Sequence, residues 1–183
     1  MPELVVPDPP LADDVVALRP FTLDDVWWVT EACRDPAIPR FTTIPESYEE
    51  ADAREWIGAH EEQRRAGEAL TLAIVEADGG APLGSAAVQD ITWDHLRGEI
   101  GYWVAPWGRR RGAATRAARL LAAHGFGTLG LERIEVTVYV GNLASQGVAE
   151  KAGCVREGVL RSYFLAHGVR HDCVMYALMP GEL

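Results

Sequence analysis

The feature that most constrains this chain is a strand that runs through a proline and three arginines into a helix of small residues. The stretch reads Tyr102-Trp-Val-Ala-Pro-Trp-Gly-Arg-Arg-Arg-Gly-Ala-Ala-Thr-Arg116. A helix N-terminus already carries about half a positive charge, so Arg109, Arg110 and Arg111 are misplaced there for helix stability alone. A bound anion would reverse that sign, and free N–H groups at a helix start are a ready phosphate site. Gly112, Ala113 and Ala114 remove bulk where a ligand would approach the backbone. The run can equally be a solvated surface feature before an alanine-rich core helix. Two nucleotide motifs are excluded: no Gly-Lys-Ser/Thr ending follows, and no G-x-G-x-x-G is present.

The rest of the chain alternates strand and helix signals. Val15 to Leu18 reads as a strand. Thr22-Leu-Asp-Asp25 is a capping-box variant opening a helix through Trp27, Trp28 and Ala32. Ser47-Tyr-Glu-Glu50 reads as a full capping box, with a helix to about Ala66. Strands follow over Leu70–Val75 and Leu83–Val88, joined by an Asp78-Gly79-Gly80 turn. Asp90 to Arg97 reads as a polar connection, and Glu99–Val104 as a strand that Pro106 ends. The helix Gly112–Phe126, a strand over Ile134–Val140, a short helix Asn142–Ala152 and two final strands complete the order. This is a mixed α/β layout around one sheet, with residues 1–13 as a Pro-rich lead-in and 14–183 as a single domain.

Composition narrows the class. The chain has 183 residues and a formal net charge of -10, which argues against a nucleic-acid partner. Lys and Arg number 7 in residues 1–100 against 21 Asp and Glu, and 10 against 6 in residues 101–183. That asymmetry points to two ligands of opposite sign, or to scattered solvated charge. The three cysteines (Cys33, Cys154 and Cys173) are too widely spaced for a disulfide framework and read as small buried hydrophobes. No histidine stands at metal-ligand spacing, so no metal is expected. With no signal-peptide pattern and no membrane-length apolar run, the expectation is a cytoplasmic protein with no membrane partner.

Two motifs carry a family resemblance. Arg109-x-x-Gly112-x-Ala114 resembles the acyl-CoA signature of the GNAT superfamily, Gln/Arg-x-x-Gly-x-Gly/Ala. Asn142-Leu-Ala-Ser145-Gln-Gly-Val148-Ala-Glu-Lys-Ala-Gly153 is similar to its second signature, N-x-x-S-x-x-V-x-E-K-x-G-F, with Cys154 in place of the final Phe. Leu18-Arg19-Pro20, the strand Glu99–Val104 and Gly130-Leu-Glu-Arg-Ile134 resemble the branch that holds the ribosomal-protein alanine N-acetyltransferases. The likeness covers about residues 15–180.

The resemblance implies the acyl-CoA N-acyltransferase fold: one mostly antiparallel sheet, splayed between the fourth and fifth strands, with helices on both faces. It implies acetyl-CoA as co-substrate and a primary amine as acceptor, such as a protein N-terminus or a small cationic amine. The pyrophosphate would lie on the N–H groups of Arg110, Arg111, Gly112, Ala113, Ala114 and Thr115, with arginine side chains including Arg109 adding contacts. The pantetheine arm would extend the strand at Trp103 and Val104, and Asn142 would hydrogen-bond it. Glu99 is the candidate base and Ser145 the candidate acid, with Tyr163 in reserve. The N–H of Val104 is the candidate oxyanion donor. Acidic residues of the second helix, with Phe41, Tyr48, Trp56, Trp93 and Trp107, are candidates for the acceptor side. Family members are often dimers, and a homodimer is expected only by that analogy. Two readings of other classes stand against this one. A non-catalytic CoA-binding sensor or scaffold needs neither Glu99 nor Ser145. A nucleic-acid binder is opposed by the acidic N-terminal half.

Overall fold

The computed structural model describes all residues, Met1–Leu183. Eight strands form one sheet: β1 (Leu11–Ala12), β2 (Val16–Pro20), β3 (Leu70–Glu76), β4 (Pro82–Thr92), β5 (Arg97–Val104), β6 (Arg133–Tyr139), β7 (Val155–Ala166) and β8 (Val169–Leu178). Their spatial order is β1-β2-β3-β4-β5-β6-β8-β7. Every neighbouring pair is antiparallel except β5 and β6, which run parallel. Four helices cover the sheet: α1 (Val26–Cys33), α2 (Glu50–Ala66), α3 (Ala113–Gly127) and α4 (Leu143–Ala152).

Strand alternation sorts the side chains onto two faces. Leu18, Leu72, Ile74, Ile100, Val136 and Val174 pack with Ala117, Leu121 and Ala149 on the α3/α4 face. Ala73, Val75 and Trp103 pack with Trp28, Val29 and Ile57 on the α1/α2 face. The small residues along α3 bring that helix close to the sheet. The N-terminal segment joins the first core, with Leu4 fully buried and its N–H bonded to Arg64 O at 3.0 Å.

Local chemistry sets the helix ends. Thr22 N–H donates to Asp25 Oδ2 at 2.8 Å, so the capping box read from Thr22 to Asp25 forms; it opens a single 3-10 turn that leads into α1. The box read from Ser47 to Glu50 does not form there. The N-cap is Glu49, whose N–H donates to Asp52 Oδ2 at 2.8 Å, two residues later than expected. Ser47 loses because Tyr48 must be buried, which delays the helix start. Gly67 closes α2 in the left-handed region at φ 74. The expected polar connection from Asp90 to Arg97 is largely sheet. β4 continues to Thr92, and only a 3-10 turn at Trp93–His95 separates it from β5.

Asp25 ties the first face together. It is buried, accepts from Arg19 at 2.8 and 2.7 Å, and accepts from Trp28 Nε1 at 2.7 Å. Burial alone would raise its pKa, but the bonds from Arg19, Trp28 and the Thr22 N–H outweigh it and hold the carboxyl at about 2. Its folded pKa is depressed, so its stabilisation is present above the ordinary carboxylate range and is lost as pH falls toward 2. Asp25→Ala strands the buried Trp28 Nε1 donor and the partly exposed Arg19 guanidinium and should cost about 3 kcal/mol in urea unfolding at pH 7. The deficit should shrink when the same unfolding is measured near pH 2.

Candidate active site

The sheet opens at one place. β5 and β6 pair only at Arg97↔Arg133, Gly98↔Ile134 and Glu99↔Glu135. Beyond Glu99, β5 stays with β4 as far as Val104, and β6 stays with β8 as far as Tyr139. The splay expected between the fourth and fifth long strands therefore lies here. Ala105 N–H bonds Leu83 O on β4 at 2.8 Å. Backbone alternation then turns the N–H groups of Val104 and Tyr102 toward the opening, where no strand meets them. Gly84 permits the close β4–β5 approach, since a Cβ there would sit 2.3 Å from Trp103 O.

At the vertex stands Glu99, half-buried, accepting from Thr137 Oγ1 at 3.0 Å. Arg97 and Arg133 both bind Glu135, at 3.3 and 2.7 Å, which leaves Glu99 without a cation. Burial raises its pKa to about 7; the Thr137 bond pulls it down, and Asp90 and Glu135 push it further up. On the other face of β5, Tyr102 crosses the opening to α4. Its hydroxyl lies 3.0 Å from Ser145 Oγ and donates to Ser145 O at 3.1 Å. Burial pushes the Tyr102 hydroxyl pKa up. Tyr102 was not singled out from the sequence, because only the crossing from β5 to α4 reveals its pairing with Ser145. Asn142 caps α4, its Oδ1 accepting from Ser145 N–H at 3.1 Å, which leaves its amide N–H groups free of that role. Tyr163, 47% exposed, lies on the Glu99 side, where the charges of Glu99 and Glu135 help raise its pKa; it is separate from the Ser145–Tyr102 pair.

The start of α3 is open. No acceptor of the chain meets the backbone N–H groups of Arg109 to Thr115. Arg110 and Gly112 have φ of 63 and 77, so left-handed residues alternate along the turn and aim successive N–H groups as an anion nest does. The arginine side chains are less free than the sequence implied. Arg109 pairs with Asp35 at 2.8 Å, Arg111 with Glu76, and Arg116 with Asp13 and Asp14 at 2.7 and 2.6 Å. Three of the ten cations of the C-terminal half are thus satisfied by the acidic N-terminal half, and Arg110 alone of the three successive arginines keeps an unpaired guanidinium.

On the α1/α2 face a cavity of about 360 Å³ is lined by Tyr48, Trp56 and Trp103 with Asp52 and Glu55. Of the aromatics proposed for a pocket, Tyr48 and Trp56 line this one. Phe41 instead packs on Tyr139 at 6.2 Å, Trp93 donates to Gly67 O and Trp107 to Pro82 O. His95 is exposed, no cluster of three or more metal-ligating side chains occurs, and no helix is long and apolar enough to cross a membrane.

The site thus joins a parted sheet, a helix start without a side-chain cap and a carboxyl whose pKa burial raises to about 7. The acetyltransferase (GNAT) domain model matches residues 16–155, and the chain belongs to that family of N-acetyltransferases. YoaA of Bacillus subtilis (strain 168), named as an N-acetyltransferase, is 29% identical over 175 residues, 93% of this chain and 97% of its own. YdaF of the same organism, provisionally named a ribosomal N-acetyltransferase, is 33% identical over 103 residues, 56% of each chain, so that match spans about half of the relative. Among solved structures, RimJ of Mycobacterium smegmatis in complex with CoA-disulfide superposes with a TM-score of 0.83 at 24% identity, covering 92% of this chain and 83% of its own. RimL, a ribosomal alpha-N-protein acetyltransferase in complex with coenzyme A, gives 0.81 at 20% identity, covering 93% and 96%. These likenesses establish the fold.

The Thr137 contact yields a direct test of the vertex. Removing it in Thr137→Val should move the Glu99 titration midpoint above 7, read by carboxyl carbon NMR. A midpoint unmoved or lowered would refute the assigned bond. The folded chain holds this proton to higher pH than the unfolded one, so Glu99 costs stability as pH rises from about 4.5 toward 7. Thr137→Val should extend that loss to higher pH.

Proposed function

We propose that this protein transfers an acetyl group from acetyl-CoA to a primary amine by direct attack in a ternary complex. The observation that carries the proposal is the arrangement on β5: a carboxyl poised near neutral pH at the vertex, a free backbone edge beyond it, and an open helix start at its end. The chain fits the co-substrate because each part meets a complementary group. The N–H groups of Arg110, Arg111, Gly112, Ala113, Ala114 and Thr115 suit a diphosphate, and the unpaired Arg110 guanidinium adds charge. Arg109 and Arg111 can join by exchanging their carboxylate partners for phosphate. The free edge at Trp103 and Val104 suits the amides of the pantetheine arm, added like a strand, and the Asn142 amide can bind the same arm. RimJ and RimL, which share this fold, are described with CoA bound.

The chemistry follows from the residues. Glu99, ionised above about pH 7, takes a proton from the acceptor ammonium, directly or through water. The neutral nitrogen attacks the thioester carbon, and the oxygen gains negative charge that the free Tyr102 N–H, nearer Glu99 than the Val104 N–H that meets the arm, can stabilise. The attacking nitrogen gives up its second proton to solvent, and the C–S bond breaks as the amide forms. The Ser145–Tyr102 hydroxyl pair supplies the proton to the departing thiolate, and solvent restores it. Acceptors in keeping with the acidic α2 surface are a protein N-terminus or a small cationic amine.

Thiol release from acetyl-CoA with a panel of N-terminal peptides, spermidine and an aminoglycoside tests the reading. Activity should rise with pH through about 7, because the base must lose its proton. Glu99→Gln should lower kcat by about 100-fold or more and abolish that limb. Retention of the limb would remove Glu99 from the role. Gly112→Asp places a carboxylate at the phosphates, at a left-handed position that Asp tolerates better than most residues and where a Cβ meets nothing closer than Arg116 Nε at 4.0 Å. Coenzyme A binding by calorimetry should vanish while the melting curve persists. Unchanged affinity would overturn the placement of the diphosphate.

A further inference from the structure

We propose that the cavity between α2 and Trp103 is a second acceptor subsite, one that takes an ammonium or guanidinium group carried on the order of 10 Å from the amine that reacts. The inference rests on the acetyl-transfer reading of the Glu99 vertex and adds to it the class of acceptor, a molecule with at least two cationic groups.

The walls of the cavity are charged in one sense only. Asp52 and Glu55 line it, and no Lys, Arg or His does. The arginines of α2 leave these carboxylates alone: Arg54 pairs with Glu50, and Arg64 and Arg65 pair with Glu61. Asp52 gives one oxygen to the Glu49 N–H, and Glu55 has no ion pair. Facing them are two indole rings, Trp56 and Trp103, with centroids 6.2 Å apart and planes inclined by 47°. Inclined indole faces beside an unpaired carboxylate attract an organic cation twice over, through the ring quadrupole and through charge. The Tyr48 hydroxyl, which makes no hydrogen bond within the chain, adds an acceptor for an N–H group. The volume, about 360 Å³, falls in the range of small-ligand sites and exceeds what a single methylammonium needs.

Position on the strand sets the span. Glu99 and Trp103 are four residues apart on β5 and project from the same face, which places their Cα atoms about 13 Å apart. A triamine chain reaches this far, and so does a peptide with a basic side chain at its second or third residue.

Calorimetric titration of the full chain without acetyl-CoA tests the subsite independently of turnover. Spermidine is compared with n-butylamine, and an Ala-Gly-Arg amide with an Ala-Gly-Gln amide, on the native protein and on Glu55→Gln. Glu55 is exposed on a helix, so the substitution should keep the fold, checked by its melting curve. One polycation should bind about tenfold tighter than its monocationic partner, the pair that does so naming the source of the cation. The advantage should fall to about threefold or less in Glu55→Gln. Equal affinities in both pairs, or an advantage that survives Glu55→Gln, would overturn the subsite. Selective binding without thiol release on any amine would instead sink the acetyl-transfer reading and leave the cation subsite standing.

Discussion

The structure depends on one short parallel ladder. β5 and β6 share three paired positions and then part. Neither strand loses its structure on parting, because each keeps a full antiparallel partner on its other side. The parting leaves a row of backbone donors and acceptors inside the fold, costly unless something binds them. It also fixes the vertex. Glu99 is the last paired residue, so its side chain lies where two strands still shield it from water while the amine side remains open. The two nearby arginines are spent on Glu135. A carboxyl so placed has burial against it and a single threonine hydroxyl in its favour, and it titrates near neutrality for that reason.

The anion end works by backbone rather than by charge count. Arg109 and Arg111 look in the sequence like free cations gathered for phosphate. Folded, they hold Asp35 and Glu76, acids from the first half of the chain. Exposed pairs of this kind contribute about 0 to 1 kcal/mol each, so they orient side chains more than they stabilise the fold. What remains unmatched is the set of N–H groups before and within the first turn of α3, turned to one side by left-handed Arg110 and Gly112. A helix with neither a side-chain cap nor an acidic first turn has its positive end open to a ligand.

The sequence made the α3 side legible because its constraints are local. A glycine at φ 77, alanines that let α3 lie close to the sheet, and an asparagine capping α4 act within a few residues of themselves, so spacing records them. The splay followed from the family likeness. Other features resisted because they join distant segments. The start of α2 moved two residues, since burial of Tyr48 overrode a favourable Ser-x-x-Glu pattern. β4 absorbed residues that looked polar because one face of its end is exposed. Tyr102 escaped notice because its partner, Ser145, lies 43 positions away. The ion pairs that quiet Arg109 and Arg111 were invisible for the same reason.

That division between local and distant constraints falls along the two sides of the site. The family motifs lie on β5, α3 and α4, where every acyl-CoA presents the same diphosphate and amides. The opposite side of the opening is assembled from α1, α2, the connection between them and the β7–β8 hairpin. There His167, at the hairpin turn, binds the carbonyls of Pro39 and Thr42 at 3.1 and 3.2 Å and ties the hairpin to the connection before α2. Phe41 and Phe164 then close on Tyr139 from either side. Such contacts need no fixed spacing, only volumes and charges that meet, so they leave no motif. A shared signature on one side and a pattern-free pocket on the other is what a fold needs if one donor chemistry is to serve different amines. Asp52, Glu55 and Trp56 belong to that pattern-free side, and only the folded protein brings them together with Trp103.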